Sequence, residues 1–210
     1  MSAANGRPVA HSGTQATIVI IAGAVILSAA MGTRQTFGLF VSPFALDRGL
    51  SLSVIAVAIA LHNLVWGFAQ PFAGAAADRY GATPVVAFGA VAFAGGLALA
   101  AISSSGTLLI LGMGLLVGIG VSCTTFAVVL TSVSRVASPE RRSMAMGIAS
   151  AGGSLGQFLM VPLTQLVSET SGIAIALYAL AVLMLVIAPL GLLLDAAAPV
   201  GMLAIGAGQV

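Results

Sequence analysis

Charged side chains are scarce in this sequence, and lysine is absent from it. Seven residues are arginine and five are aspartate or glutamate, so charged residues make up 6% of the 210, against about 25% in a typical soluble domain. Hydrophobic residues make up 60%. Because these charged residues are too few to cover a protein surface exposed to water, we expect the surrounding solvent to be lipid. The net charge of +2 offers no basic patch for a nucleic-acid backbone, and we expect no nucleic-acid partner.

Cysteine and the usual catalytic motifs are also scarce. The single cysteine, Cys123, lies in an apolar run, which excludes an internal disulfide and a cysteine metal site. The sequence has no nucleotide-binding Walker loop, no His-Glu-x-x-His motif and no pair of carboxylates inside an apolar run. We therefore predict a protein that is not an enzyme, with no cofactor and no metal.

Long apolar runs are what the sequence does contain. Hydrocarbon requires every backbone polar group to pair internally, so only helices and closed barrels span it. Barrel strands alternate in polarity over about ten residues, whereas these runs do not alternate and suit a bilayer core of about 30 Å. The sequence predicts an all-α membrane protein with six spans: Ala16–Phe44, Leu52–Ala73, Thr83–Ile102, Leu108–Val133, Met144–Val167 and Ile173–Leu194.

The arginines predict the orientation of these spans. If the N-terminus is cytoplasmic, the outer connections contain one arginine, Arg48. The inner segments then contain five: Arg7, Arg79, Arg135, Arg141 and Arg142. This positive-inside bias predicts an integral, multi-pass protein, which we place in a bacterial inner (plasma) membrane with both termini cytoplasmic. We expect a cytoplasmic tail over residues 1–15, a bundle over 16–195 and a C-terminal tail over 196–210.

An internal repeat divides the bundle into two halves of three spans. Pro71, Asp78 and Gly81 recur 91 residues later as Pro162, Glu169 and Gly172, and Thr36-Phe37 recurs 89 residues later as Thr125-Phe126. Three is an odd number of spans, so the second copy enters the membrane in the opposite sense, as in many transporters. We predict two inverted repeats, at about residues 16–102 and 108–194.

Arg34 is the residue that most directly suggests chemistry. It lies deep in the first span, where an arginine costs at least about 2.5–3.5 kcal/mol to insert. Its planar guanidinium suits a carboxylate or phosphate, and no apolar span supplies an acid to neutralise it. One interpretation is the binding of an anionic substrate in a water-filled path. The other is that Arg34 snorkels to the outer surface near Asp47.

The second span carries polar residues on one helix face, because Asn63, Trp66 and Gln70 follow the spacing i, i+3 and i+7. They either line a polar cavity, with Trp66 as a flat wall, or hold helices together by hydrogen bonds. His62 lies beside them, with a structural role or a role in proton coupling. Two weaker cavity candidates are Thr125 and Gln157.

Three segments resemble a known family. Gly74-x-x-x-Asp78-Arg79-x-Gly81 is similar to the loop between the second and third spans of major facilitator superfamily transporters. Arg34-Gln-Thr-Phe-Gly-Leu-Phe40 and the segment from Arg141 to Gly156 resemble the monocarboxylate-porter and oxalate/formate-antiporter branch. The resemblance covers residues 16–195. It implies one six-helix half of a 12-helix fold.

The resemblance also implies roles for particular residues. Asp78 and Arg79 would steady one state of the alternating-access cycle, with Gly74 and Gly81 allowing a tight turn, and Arg34 would bind the substrate carboxylate. The loop departs from the family pattern in having Ala82-Thr83 where a basic pair follows, and Gly114 lies where an arginine is often found. We expect these 210 residues to form one such half without the second, and residues 196–210 contain no charged linker.

We therefore expect secondary active transport of a small solute, an organic anion such as a monocarboxylate, by alternating access. The expected partners are membrane lipid, a small anionic substrate, and a second six-helix half or another copy of the chain. Two alternatives stay open. The chain is a truncated half-transporter that is inactive alone or needs self-association or a second half, or it exports hydrophobic compounds.

Overall fold

The computed structural model describes residues 13–195, and every regular element in that range is a helix. Within residues 13–195, six helices are long and apolar enough to cross a membrane, which confirms the predicted fold class: α1 (Gly13–Leu46), α2 (Leu52–Tyr80), α3 (Ala82–Ala101), α4 (Gly106–Val136), α5 (Arg142–Ser171) and α6 (Ile173–Asp195). The predicted C-terminal tail and nearly all of the predicted N-terminal tail lie outside the described residues.

The connection between α2 and α3 is shorter than the sequence indicates. We expected the second span to end at Ala73, but α2 continues to Tyr80, so Asp78 and Arg79 lie in its last turn. Gly81 alone makes the turn, with a φ of +92° that is easily adopted only by glycine. The expectation that Gly74 helps to form a tight turn is wrong, because Gly74 lies inside α2, seven residues before Gly81.

Residues that recur in the sequence have matching local geometry. Gly81 and Gly172 have φ and ψ values of 92° and 162°, and of 87° and 161°, and each ends a long helix with an internal proline. The Thr-Phe pairs also coincide with irregular backbone: α1 becomes a 3₁₀ helix at Thr36, and α4 is interrupted by an extended residue at Thr125. The repeat boundaries themselves stay a prediction.

Glycines bring α1 and α5 into backbone contact. A Cβ atom on Gly156 would overlap the carbonyl oxygen of Ser28, and one on Gly152 would lie 2.7 Å from Ala24. On the facing helix, a Cβ on Gly32 would lie 2.7 Å from the carbonyl oxygen of Gly156. Small residues allow this approach in lipid, where van der Waals packing replaces the hydrophobic effect as the source of association.

Helix α4 is packed in the same way between two neighbours. Cβ atoms on Gly114 and Gly118 would lie 3.1 and 2.9 Å from side chains of α2, and Gly120 faces the backbone of Phe93 on α3. Its segment Ile110–Leu116 is a π-helix, and within it Gly112 meets the backbone of Gly96. This wider turn gives α4 a local distortion at one of its close contacts with α3.

Helix α3 is held at both ends by charged side chains. The carboxylate of Asp195, at the end of α6, accepts hydrogen bonds of 2.7 Å from the backbone N–H groups of Ala82 and Thr83. At the other end, Arg48 donates to the carbonyl oxygens of Ala100, Ala101 and Ser103 at 2.6–2.9 Å. Each charge complements the helix dipole and satisfies groups left unpaired at a helix end.

The close contact of α1 and α5 gives a stability prediction. Replacing Gly156 with alanine would force the two backbones apart at Ser28, so we expect a loss of about 1–3 kcal/mol, typical of overpacking. Gly147 is the matched control on the same helix, because a Cβ there would meet nothing within 4 Å. Thermal unfolding of the purified protein in detergent should show a lower midpoint for Gly156→Ala and no loss for Gly147→Ala. Equal midpoints would contradict this packing.

Candidate substrate-binding site

Arg34 points from α1 toward α2. Its Nη2 donates a hydrogen bond of 2.6 Å to Oδ1 of Asn63, and its Cζ lies 4.5 Å from the ring centroid of Trp66. The Nε atom is buried and has no hydrogen-bond partner among the described residues. The partners of the guanidinium are therefore neutral, a side-chain amide and an aromatic face, and the Nη donors other than the one bound to Asn63 form no hydrogen bond within residues 13–195.

A second group of hydrogen bonds joins α2 to the break in α4. The hydroxyl oxygen of Thr125 accepts from Nε1 of Trp66 at 3.2 Å and from Nε2 of Gln70 at 3.5 Å. The same hydroxyl donates to the carbonyl oxygen of Val121 at 2.7 Å. Thr125 is fully buried, so its hydroxyl holds the side chains of Trp66 and Gln70 from the protein interior.

A groove continues from this cluster along α2 and α4. A cavity of about 520 Å³ is lined by Gln70, Gly74 and Asp78 on α2, and by Ala127 and Thr131 on α4. A Cβ on Gly74 would lie 3.6 Å from Ala127, an ordinary contact. Gly74 is therefore not needed for a close approach of two helix backbones. Its missing side chain leaves the groove unobstructed. The groove joins the Gln70 end of the cluster to the end of α2 that we predict to be cytoplasmic.

An ion pair involves Asp78, which lines the far end of the groove. Oδ1 of Asp78 lies 2.7 Å from Nη2 of Arg135, in the last turn of α4, and it is the only ion pair within residues 13–195. Both side chains are partly exposed, so a pair of this kind is readily broken and remade. The neighbouring Arg79 does not share it, because its guanidinium lies over the ring of Tyr80 at 5.2 Å.

Two candidates lie outside the hydrogen-bonded cluster. His62 is buried, its ring meets Phe37 edge-on at 5.3 Å, and neither ring nitrogen has a partner among the described residues. Gln157 is half-buried on α5 and forms no hydrogen bond with Arg34, Asn63 or the Thr125 group. The roles suggested for His62 and Gln157 stay predictions.

Arg135 is the residue of this region that the sequence analysis did not single out. It entered only as one of the inside arginines, because 57 residues separate it from Asp78. The predicted topology contained a signal that could have found it. Asp78 lies in the last turn of the second span and Arg135 in the last turn of the fourth, so both lie at the same membrane surface.

Comparison with known proteins assigns the sequence to a family. The family model described as Major Facilitator Superfamily matches residues 17–204. The chain belongs to this superfamily. The match confirms the family resemblance of the Gly74–Gly81 segment and makes the protein a member of a transporter family rather than an enzyme.

The curated relatives of this superfamily member include monocarboxylate transporters. Monocarboxylate transporter 11 of Homo sapiens is 34% identical over 177 residues, which cover 84% of this chain and 37% of the relative. Monocarboxylate transporter 13 of Rattus norvegicus is 34% identical over 134 residues, or 64% of this chain and 31% of the relative. These matches confirm the resemblance to monocarboxylate porters. The chain thus spans less than two fifths of the length of these relatives.

A solved structure supports the fold of the superfamily member. The crystal structure of a peptide transporter, POT, in complex with alafosfalin superposes with a TM-score of 0.70 and 17% sequence identity. The superposition covers 86% of this chain and 38% of that transporter. The six helices therefore have the fold of part of a major facilitator transporter.

The hydrogen bonds of Thr125 give a prediction that does not depend on any substrate. Trp66 is the only tryptophan, so intrinsic tryptophan fluorescence reports this site alone. Replacing Thr125 with valine removes the acceptor for the indole N–H, and we expect emission at shorter wavelength. Thr131→Val is the control, because the Thr131 hydroxyl bonds only the carbonyl of Ala127. A spectrum unchanged by Thr125→Val would contradict the Trp66–Thr125 hydrogen bond.

Proposed function

We propose that this chain takes part in secondary active transport of a small organic anion, such as a monocarboxylate, by alternating access. The observation that carries the proposal is the guanidinium of Arg34, half-buried between apolar helices with one hydrogen bond to a neutral amide. No acidic side chain within residues 13–195 forms an ion pair with it. A cation with neutral partners only can take its counter-charge from an anionic ligand.

The chemistry of the site fits a carboxylate. Arginine binds carboxylates through two parallel N–H···O bonds, and Asn63 and Trp66 fix the plane of the Arg34 guanidinium on one side. The indole face of Trp66 supplies apolar contact for the carbon atoms of a small acid. The names of the monocarboxylate transporters that the chain resembles support the same class of substrate.

The groove from Gln70 to Asp78 is proposed as one wall of the transport path. Its polar members, Gln70, Thr131 and Asp78, lie between the Arg34 cluster and the Asp78–Arg135 ion pair. Breaking and remaking that pair would let the ends of α2 and α4 shift relative to each other, and we propose that this shift accompanies the opening of the path at one membrane surface. In this proposal the Asp78–Arg135 ion pair stabilises one state of the transport cycle. Gly81 is the flexible residue next to the end of α2.

The opposite wall is proposed to come from a second set of six helices, either a separate half or another copy of this chain. Helices α2 and α5 bury only 17% and 22% of their most apolar 18-residue windows, against 67% for α4. Large apolar side chains are correspondingly exposed on both, among them Phe68 at 73% and Phe158 at 75%. The length of the relatives is consistent with a further unit of this size.

Replacing Arg34 with glutamine tests the substrate class. The quenching of Trp66 fluorescence would be measured while lactate or pyruvate is added to the purified protein. Loss of a buried partner of a charged group costs about 2 kcal/mol or more, so binding should weaken at least about thirtyfold. Arg142→Gln, which removes an exposed arginine at the start of α5, is the control and should bind like the parent protein.

Uptake of the same acids into vesicles extends this test. Arg34→Gln should abolish uptake, and undiminished uptake would contradict the proposal. Transport of hydrophobic dyes that survives Arg34→Gln but is lost in Trp66→Ala would instead identify an exporter of hydrophobic compounds.

Crosslinking in membranes tests the missing wall. If two copies meet through α2 and α5, the double variant Phe68→Cys/Phe158→Cys should form covalent dimers under a thiol crosslinker. Val91→Cys/Val182→Cys is the matched control, because it places cysteines at exposed positions of α3 and α6. A protein that stays monomeric in both variants and shows no uptake would contradict self-association. It would then be a half-transporter that is inactive alone.

A further inference from the structure

A second cavity lies far from the Arg34 site, between the ends of three helices. Its volume is about 460 Å³, and it is bounded by the start of α1, the end of α4 and the start of α5. Thr17 in its wall precedes Arg34 by 17 residues, or roughly 25 Å along a helix at 1.5 Å per residue. This cavity shares no lining residue with the groove between Gln70 and Asp78.

The lining of the cavity is amphipathic. Thr17, Ser138 and Arg141 are its polar members, and Arg141 stands at the junction of the α4–α5 loop with α5. The apolar walls are formed by Ala16, Ile20, Ile21, Val136, Ala137, Met144, Ala145 and Ile148. Ile21, Met144 and Ile148 are about half exposed, at 58%, 59% and 50%, so the cavity is open to the lipid beside the bundle.

The charge at the polar end favours an anion. Arg141 is exposed and has no acidic partner within ion-pair distance in the described part of the chain, and Arg142 follows it. The acid of this loop is Glu140. Hydrogen bonds from its own backbone and from Ser138, with the charge of Arg141, lower the pKa of Glu140, so it is ionised at neutral pH. One acid against two arginines leaves the loop positive.

The position of the cavity indicates which anion it would meet. The distribution of arginines predicts that this end of the bundle is cytoplasmic, and the cytoplasmic leaflet is the one rich in anionic lipid. A ligand that fits must place a negative group at the water interface and an apolar chain between α1 and α5. A free phosphate ion would leave the apolar walls unfilled.

We propose that this cavity is a binding site for one anionic phospholipid. The lipid phosphate contacts Arg141, and an acyl chain lies between Ile20 and Ile21 of α1 and Met144 and Ile148 of α5. Because this lipid would touch α1, α4 and α5 together, it would stabilise their arrangement at the surface where the Asp78–Arg135 pair also lies. The proposal does not depend on the transported substrate.

Native mass spectrometry of the purified full chain tests the site. The protein would be titrated with phosphatidylglycerol, with phosphatidylcholine and with inorganic phosphate. We expect one retained molecule of phosphatidylglycerol, weaker retention of phosphatidylcholine and none of phosphate. An arginine near the membrane surface contributes about 1 kcal/mol to anionic-lipid binding, so Arg141→Gln should weaken phosphatidylglycerol binding about fivefold.

Two further variants separate a built site from general surface charge. Arg142→Gln removes the same charge from a residue that does not line the cavity, and should weaken binding less than Arg141→Gln. Thr17→Trp keeps both arginines but fills the cavity with an apolar side chain, and should also displace the lipid. Equal losses in Arg141→Gln and Arg142→Gln, no effect of Thr17→Trp, or equal retention of the two lipids would each overturn the proposal.

Discussion

The absence of water from the bilayer core is the constraint on which the rest of this structure depends. Backbone polar groups must pair within the protein. Because lipid tails are as apolar as the side chains, helices gain little by burying apolar surface and associate through close packing instead. The contact of Gly156 with Ser28 and that of Gly112 with Gly96 follow from this constraint. Together these contacts fix α1 against α5 and α4 against α3, and so decide where the few polar side chains meet.

Arg34 shows what this packing means for a charge. With α1 pressed against α5, the guanidinium turns to α2, where it finds an amide and an indole and no carboxylate. An internal acid would neutralise the cation permanently and leave it no affinity for an anionic ligand. Neutral partners hold the guanidinium in one orientation while its charge stays unmatched. The polar groups that accompany it, Trp66, Gln70 and Thr125, are satisfied by one another.

Much of this could be predicted from the sequence, for reasons tied to particular residues. Apolar runs reveal spans because a helix needs about 20 residues to cross hydrocarbon, and the i, i+3, i+7 spacing placed Asn63, Trp66 and Gln70 on one face of α2. The helix ends were less accessible. Alanines and one arginine extend a helix readily, so α2 continued through Gly74 to Tyr80 where the motif had suggested a longer loop. Arg135 escaped attention because only the fold brings it to Asp78.

The sequence by itself determined the solvent, the number of helices, the family and the presence of an unmatched arginine, because these depend on composition and local spacing. The tertiary structure alone decided the partners. Thr125 became the common acceptor of Trp66 and Gln70 because α4 breaks at that residue, opposite α2. Asp195 binds the start of α3 and Arg48 binds its end, because the termini of α3 offer unpaired backbone groups. Such partners are separated by 50 to more than 100 residues, and only close helix packing brings them within hydrogen-bond distance.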